Sequence, residues 1–123
     1  MVSGYVRSLM RLEGIAMLIA GAAAFHFTSG QWWLFALLFF TPDLSFAGYL
    51  AGPKWGAAVY NMSHTTLGPL LAALLGWVLS FDLSFNLASI WLAHIGFDRT
   101  LGYGLKYQSG FRDTHLGRIG RDP

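Results

Sequence analysis

The sequence predicts an all-α fold: a four-helix transmembrane bundle with up-down topology and both termini in the cytoplasm. Its composition, four apolar segments and the positions of its cations support this fold. Hydrophobic residues make up 54% of the 123 residues and charged residues only 11%, whereas an ordinary soluble domain carries about 25% charged residues. A soluble chain of this size exposes much of its surface to water. The composition therefore favours a membrane protein whose main partner is the lipid bilayer.

Four segments come close to the roughly 20 apolar residues that a helix needs to cross a bilayer. They are Leu9–Phe27, Trp32–Leu50, Lys54–Leu79 and Ser84–Leu105. Only short connections separate them, and short connections make consecutive helices antiparallel neighbours. We therefore assign residues 1–105 to a four-helix transmembrane domain and residues 106–123 to a basic cytoplasmic tail.

The cationic residues indicate the orientation of the bundle. They flank the first span, lie in the second connection, or lie at or beyond the end of the fourth span, and four crossings place all of these regions on one side: Arg7, Arg11, Lys54, Arg99, Lys106, Arg112, Arg118 and Arg121. The positive-inside rule puts that side in the cytoplasm. This topology accounts for the sequence pI of about 9.2, so we expect no nucleic acid partner. The first span also resembles a secretory signal, but Glu13 within its apolar core argues against one.

Ionisable residues inside the predicted spans form the candidate site. At a rise of about 1.5 Å per residue, Asp43, His64 and His94 fall at one depth near the bilayer centre. Charged groups within a bilayer face the bundle interior and pair there. Pro42 disfavours helical geometry at Thr41, so we expect free backbone carbonyls beside Asp43. The full predicted cluster comprises Glu13, Asp43, Asn61, His64, His94 and Asp98.

Two His and two Asp side chains make a suitable ligand set for a divalent metal ion. Imidazole and carboxylate suit zinc, iron or manganese, and the chain has no cysteine to supply a thiolate. The predicted metal ligands are Asp43, His64, His94 and Asp98. We interpret the protein as a metal-binding membrane protein with hydrolytic chemistry near the inner leaflet, acting on a small-molecule or lipid substrate that the sequence does not identify.

Three further residues are predicted to take catalytic roles: Glu13, Asn61 and His115. His115 lies in the tail, KYQSGFRDTHLGRIGRDP, which has no long apolar run. A solvated tail is the favoured interpretation. A tail folded back as a lid over the inner mouth of the cavity would instead bring His115 in as a general acid or base.

Three alternatives use the same residues. A proton- or ion-coupled transporter would use the Asp and His side chains as relay groups, and four short spans would then require a homo-oligomer. A haem could bind between His64 and His94. In an accessory structural subunit, the polar cluster would only join the helices by hydrogen bonds.

Several motifs run over nearly the whole chain: PDLS, GYL, YN-x-x-H, HIGFDR-x-LGYGLKY and THLG. They resemble those of a family of small bacterial integral membrane proteins known only as a domain of unknown function. The resemblance implies a compact helical protein of the bacterial inner membrane and assigns no activity. Its motif positions here are Asp43, Tyr60, Asn61, His64, His94, Asp98, Arg99, Lys106, Tyr107 and His115.

Overall fold

A computed structural model describes residues 4–28 and 30–119, and this part of the chain is mostly helical. Its elements are helix α1 (Gly4–Phe27), helix α2 (Trp32–Leu38), a 3₁₀ helix (Thr41–Ala51), helices α3 (Pro53–His64), α4 (Leu67–Val78) and α5 (Asp82–Leu101), and strands β1 (Asp113–Thr114) and β2 (Gly117–Arg118). The two short strands pair antiparallel. The prediction of an all-α fold is thus confirmed for the helical part, and a small hairpin is added after it.

Helices α1 and α5 pack antiparallel at close range. Gly14 faces Arg99 near one end of the pair, and Gly21 faces Ser89 towards the other. A Cβ atom added to Gly21 would lie 2.6 Å from the carbonyl oxygen of Ser89. Small residues allow helix backbones to approach in this way. This packing fixes α5, the helix that carries His94 and Asp98.

The second predicted span is interrupted where the sequence indicates. Helix α2 ends at Leu38, and the 3₁₀ helix begins at Thr41, directly before Pro42. Proline has no N–H and restricts the residue before it, which explains the change of helix type. The 3₁₀ helix has 11 residues, whereas most such runs end after three or four.

The third predicted span, Lys54–Leu79, is not one continuous helix. Helix α3 ends at His64 and α4 begins at Leu67, with Thr65 in an extended conformation (φ −82°, ψ 146°). Pro69 explains this break, because it cannot donate to the carbonyl of Thr65 four residues earlier and its ring crowds that carbonyl. The break leaves His64 at a helix end, where its carbonyl accepts a hydrogen bond from Arg99 (3.2 Å).

The residues after α5 fold back onto the helices, so the expectation of a solvated tail is wrong. Gly102 ends α5 in the left-handed region (φ +89°), a conformation that suits glycine. Lys106, Thr114 and Leu116 are all buried. Lys106 bridges to Thr114 in antiparallel fashion. Arg121 lies outside the described residues.

Two helical segments are long and apolar enough to cross a membrane: Gly4–Phe27 and the combined segment Trp32–Ala51. This finding rests on their length and composition. The four-span topology, its orientation and the division at residue 105 remain predictions.

Candidate metal centre

Asp43, His64, His94 and Asp98 converge on one point. Each offers a ligand atom, and the four atoms lie within 4.8 Å of one another. The 3₁₀ helix supplies Asp43 in its first turn, α3 supplies His64 as its last residue, and α5 supplies the other two one turn apart. Side-chain exposure is 3% for His64, 0% for His94, 11% for Asp98 and 29% for Asp43. The four side chains therefore meet in a largely buried site with one accessible carboxylate.

The contacts between these atoms are short and nearly equal. The Nε2 atom of His64 lies 3.1 Å from Oδ1 of Asp43 and 3.3 Å from Oδ2 of Asp98. The Nε2 atom of His94 lies 3.2 and 3.3 Å from the same two oxygens. The two Nε2 atoms are 3.2 Å apart. Because each Nε2 carries at most one proton, the two nitrogens can donate at most two direct hydrogen bonds among these five contacts.

The orientation of His64 is fixed from outside the site. Its Nδ1 atom lies 2.9 Å from the carbonyl oxygen of Tyr60 and 2.8 Å from Oγ of Ser63. A carbonyl only accepts, so Nδ1 carries the proton. In the neutral imidazole, Nε2 then presents its lone pair to the site. The ring of Tyr60 also stacks on that of His64 at 3.7 Å.

The ring of His94 is held in position by packing against other rings rather than by a hydrogen bond to Nδ1. Its ring makes edge contacts with Phe39 at 5.5 Å and with Phe40 at 6.0 Å. Its Nδ1 atom is buried and has no hydrogen-bond partner among the described residues. A metal-binding histidine usually donates that N–H to an outer group. His64 follows this pattern, and His94 does not.

The backbone carbonyl next to Asp43, that of Pro42, is bound by two serine side chains, so the expectation of free carbonyls at this position is not met there. The carbonyl oxygen of Pro42 accepts hydrogen bonds from Oγ of Ser45 (2.7 Å) and Oγ of Ser63 (3.2 Å). Sequence reasoning did not single out either serine. Their presence in the sequence as two hydroxyl side chains within otherwise apolar predicted spans could have pointed to them.

The other predicted site residues lie apart from this group. Glu13 is exposed on α1, so the expectation that it joins the buried cluster is wrong. It precedes Gly14, the residue that faces α5. Asn61 and His115 hold the tail instead. Asn61 donates to the carbonyl of Lys106 (2.8 Å) and accepts from its N–H (2.7 Å). Their catalytic roles remain predictions.

His115 also binds a main-chain group. Its Nδ1 atom accepts a hydrogen bond from the N–H of Leu105 at 2.8 Å. Burial lowers the pKa of His115 below its usual range, and the positive charge of Arg99 lowers it further. The folded tail therefore favours the neutral imidazole that this hydrogen bond requires.

The side-chain charge of Lys106 is enclosed by two aromatic rings and a carbonyl oxygen. Its side-chain Nζ donates to the carbonyl oxygen of Phe111 at 2.7 Å. It sits over the ring of Phe111 at 3.7 Å and over that of Tyr60 at 4.7 Å. Burial lowers the pKa of Lys106 to about 8, although Asp98 and Asp43 oppose the shift. The ammonium form still predominates at neutral pH.

The family of the chain is established by comparison with known proteins. A family profile described as "Domain of unknown function (DUF4260)" matches residues 7–119. The chain belongs to this family. The match confirms the resemblance predicted from the sequence motifs and covers all four residues of the candidate metal centre. No curated protein and no solved structure matches the chain.

Proposed function

We propose that this DUF4260 protein is an integral membrane protein that binds one divalent metal ion through Asp43, His64, His94 and Asp98. The single observation that carries the proposal is the set of five contacts of 3.1 to 3.3 Å between two imidazole nitrogens and two carboxylate oxygens. Protons can satisfy only some of these contacts, whereas one cation at the centre satisfies all four atoms together.

The spacing of the atoms favours a small tetrahedral ion. With metal–ligand bonds of about 2.0 Å, the ligands of a regular tetrahedron lie about 3.3 Å apart. The five contacts in the site come close to that separation. Calcium and magnesium prefer six or more oxygen ligands. Zinc is therefore the favoured ion, and iron and manganese are the other metals that this nitrogen and oxygen set suits.

The outer surface supports a position in the bilayer. Only 17% of the 18-residue apolar stretch within α1 is buried inside the protein. In the segment Trp32–Ala51, no part of the corresponding stretch is buried. The core helix of a soluble protein would bury most of this surface. Exposed apolar patches of this extent favour contact with a membrane. We place the protein in the bacterial inner membrane as a multi-pass protein with its tail on the cytoplasmic side.

We also propose that the bound metal ion supports hydrolysis. Four protein ligands leave a tetrahedral ion no open position, so Lewis-acid chemistry here would require the ion to accept a fifth ligand from the side of Asp43, the most exposed of the four side chains. Because Glu13 faces outward and Asn61 and His115 hold the tail, the described structure supports the metal ligands more strongly than the predicted acid–base groups.

Proton- or ion-coupled transport by a homo-oligomer is the second candidate function. One observation favours it: the imidazole–carboxylate contacts run from the fully buried His94 to the partly exposed Asp43, as a proton path would. Haem is disfavoured. Its ring would have to separate His64 from His94, and Asp43 and Asp98 already occupy that space.

Metal content tests the proposal directly. The wild-type protein is purified, equilibrated with zinc, freed of excess metal by gel filtration and analysed by elemental mass spectrometry. We expect one zinc per chain, and a loss of most of it in His64→Ala and His94→Ala. His26→Ala is the matched control, because His26 is exposed on α1. A wild-type protein without zinc, iron or manganese, or equal loss in His26→Ala, would contradict the proposal.

A further inference from the structure

A second feature adjoins the metal centre: a cavity of about 330 Å³. Asp43 and Asp98 line one end of it, and Phe40, Phe46 and Phe97 contribute to its walls. Ligand sites typically have volumes of about 300–1,000 Å³, with mostly apolar walls and a few polar groups that orient the ligand. This cavity has that construction, and its polar end contains two of the proposed metal ligands.

Lys106 supplies a cation to the same cavity. The folded tail brings it there, and the whole residue is only 4% exposed. Within the described residues, its Nζ has one hydrogen-bond acceptor, the carbonyl of Phe111. An ammonium group has three N–H donors, so two remain for a ligand. Phe111 and Ile119 of the tail also line the cavity.

The charges at the polar end determine which ligand fits. Two carboxylates, the Lys106 ammonium and a divalent ion together leave one net positive charge, which one anionic group would neutralise. Removing the metal takes two positive charges away from the end of the cavity where the anionic group would bind. This inference therefore rests on the proposed metal binding, and it makes anion binding dependent on the metal.

The size and position of the cavity limit the rest of the ligand. At the packing density of a protein interior, 330 Å³ accommodates roughly ten to fifteen non-hydrogen atoms. Phe40, directly before the 3₁₀ helix, and Phe46, within it, line the cavity and are also exposed at the outer surface. The apolar rim thus continues into the surface that we assign to lipid, which favours entry from the bilayer.

We infer that the cavity binds a small single-chain amphiphile with one carboxylate. The carboxylate lies beside Lys106 and the metal centre, and the chain lies along the aromatic walls. Medium-chain fatty acids have this chemistry, and decanoate, with twelve non-hydrogen atoms, is of suitable size.

The test measures decanoate binding to the full-length protein in lipid nanodiscs. The zinc-loaded protein and the chelator-treated protein are each titrated with decanoate or with decyltrimethylammonium, and isothermal titration calorimetry measures the binding. Metal content is measured on the same samples. We expect saturable binding of decanoate, at least tenfold tighter than binding of the cationic analogue, and its loss when the metal is removed by a chelator.

Two variants locate the ligand. Lys106→Gln should weaken decanoate binding at least tenfold, and Leu101→Trp should do the same by filling the cavity that Leu101 lines. Leu38→Trp is the matched control, because Leu38 lines a separate cavity of about 270 Å³, and it should leave binding within threefold of wild type. Lys106→Arg should retain binding.

The outcomes separate the two proposals. A wild-type protein that takes up no metal overturns the proposed function. A metal-loaded protein that does not bind decanoate, that binds the cationic analogue as tightly, or that responds equally to Leu101→Trp and Leu38→Trp overturns this inference and leaves metal binding intact.

Discussion

Replacing Asn61 with Leu tests how the tail is held against the helices. Asn61 makes two hydrogen bonds to the peptide groups of Lys106, at 2.8 and 2.7 Å. Each contributes about 1 kcal/mol net, and a buried peptide group left without a partner costs about 1–3 kcal/mol. The substitution removes both partners and leaves the N–H and C=O of the buried Lys106 unpaired. We therefore expect about 2–5 kcal/mol less free energy for local opening of the tail.

Amide hydrogen exchange measures this opening. About 2 kcal/mol corresponds to roughly a 30-fold increase in the open population, so amides of residues 105–115 should exchange at least 30-fold faster in Asn61→Leu. Asn86→Leu is the matched control, because Asn86 contacts Thr28 at the other end of the helices and should leave tail exchange unchanged. Exchange within threefold of wild type in Asn61→Leu would refute the proposed role of this side chain.

Two further predictions concern helix packing and pH. In Gly96→Ala, the new Cβ would lie 2.4 Å from the backbone nitrogen of Leu18, so α1 must shift. We expect chemical denaturation to show a loss of about 1–3 kcal/mol of unfolding free energy. Gly110→Ala, with its nearest contact at 3.4 Å, should stay within about 0.5 kcal/mol of wild type, and equal losses in both variants would contradict the packing argument. The pKa of His115 is lower in the folded tail than its ordinary value of about 6.5. The tail should therefore have its full stability at pH values above about 6.5 and lose stability as the pH falls through the pKa of the folded form. The opening free energy of the tail, obtained from amide exchange between pH 7.5 and 5 after correction for the intrinsic exchange rate at each pH, should show this loss. His115→Asn, whose Oδ1 can accept from Leu105, should reduce the dependence, and an unchanged pH dependence would argue against His115 as its source.

The grouping of the four His and Asp residues could be predicted because depth in an apolar helix can be counted along the sequence. Asp43, His64 and His94 fall at one level at about 1.5 Å per residue. Asp98 reaches the same point from one turn below, since its side chain at i+4 lies on the same face as His94. The positions of the ionisable residues within the apolar segments therefore predict most of the candidate metal centre.

The role of Glu13 could not be predicted by the same counting. Depth alone does not determine which face of a helix turns inward. The contact face of α1 is defined by Gly14 and Gly21, which fit against α5, and Glu13 lies beside that face. The α1 glycines would have been the better guide, because close backbone approach identifies the buried side of a helix.

The tail was mispredicted because its hydrophobicity is low. Hydrogen bonds between side chains and the backbone help to hold it: Asn61, 45 residues earlier in the chain, pairs with Lys106, and His115 pairs with Leu105. Such polar contacts leave no periodic pattern in the sequence. Pro69 indicated the break in the third span in advance. The span was nevertheless predicted to be continuous because its apolar sequence extends across that proline.

X-ray absorption spectroscopy of the zinc-loaded protein tests the metal centre most directly. The account predicts four nitrogen or oxygen ligands at about 2.0 Å, with the multiple-scattering signature of two imidazoles that is lost together with the zinc in His94→Ala. Six oxygen ligands without an imidazole signature, or an unchanged spectrum in His94→Ala, would show that the metal binds elsewhere and would contradict the account.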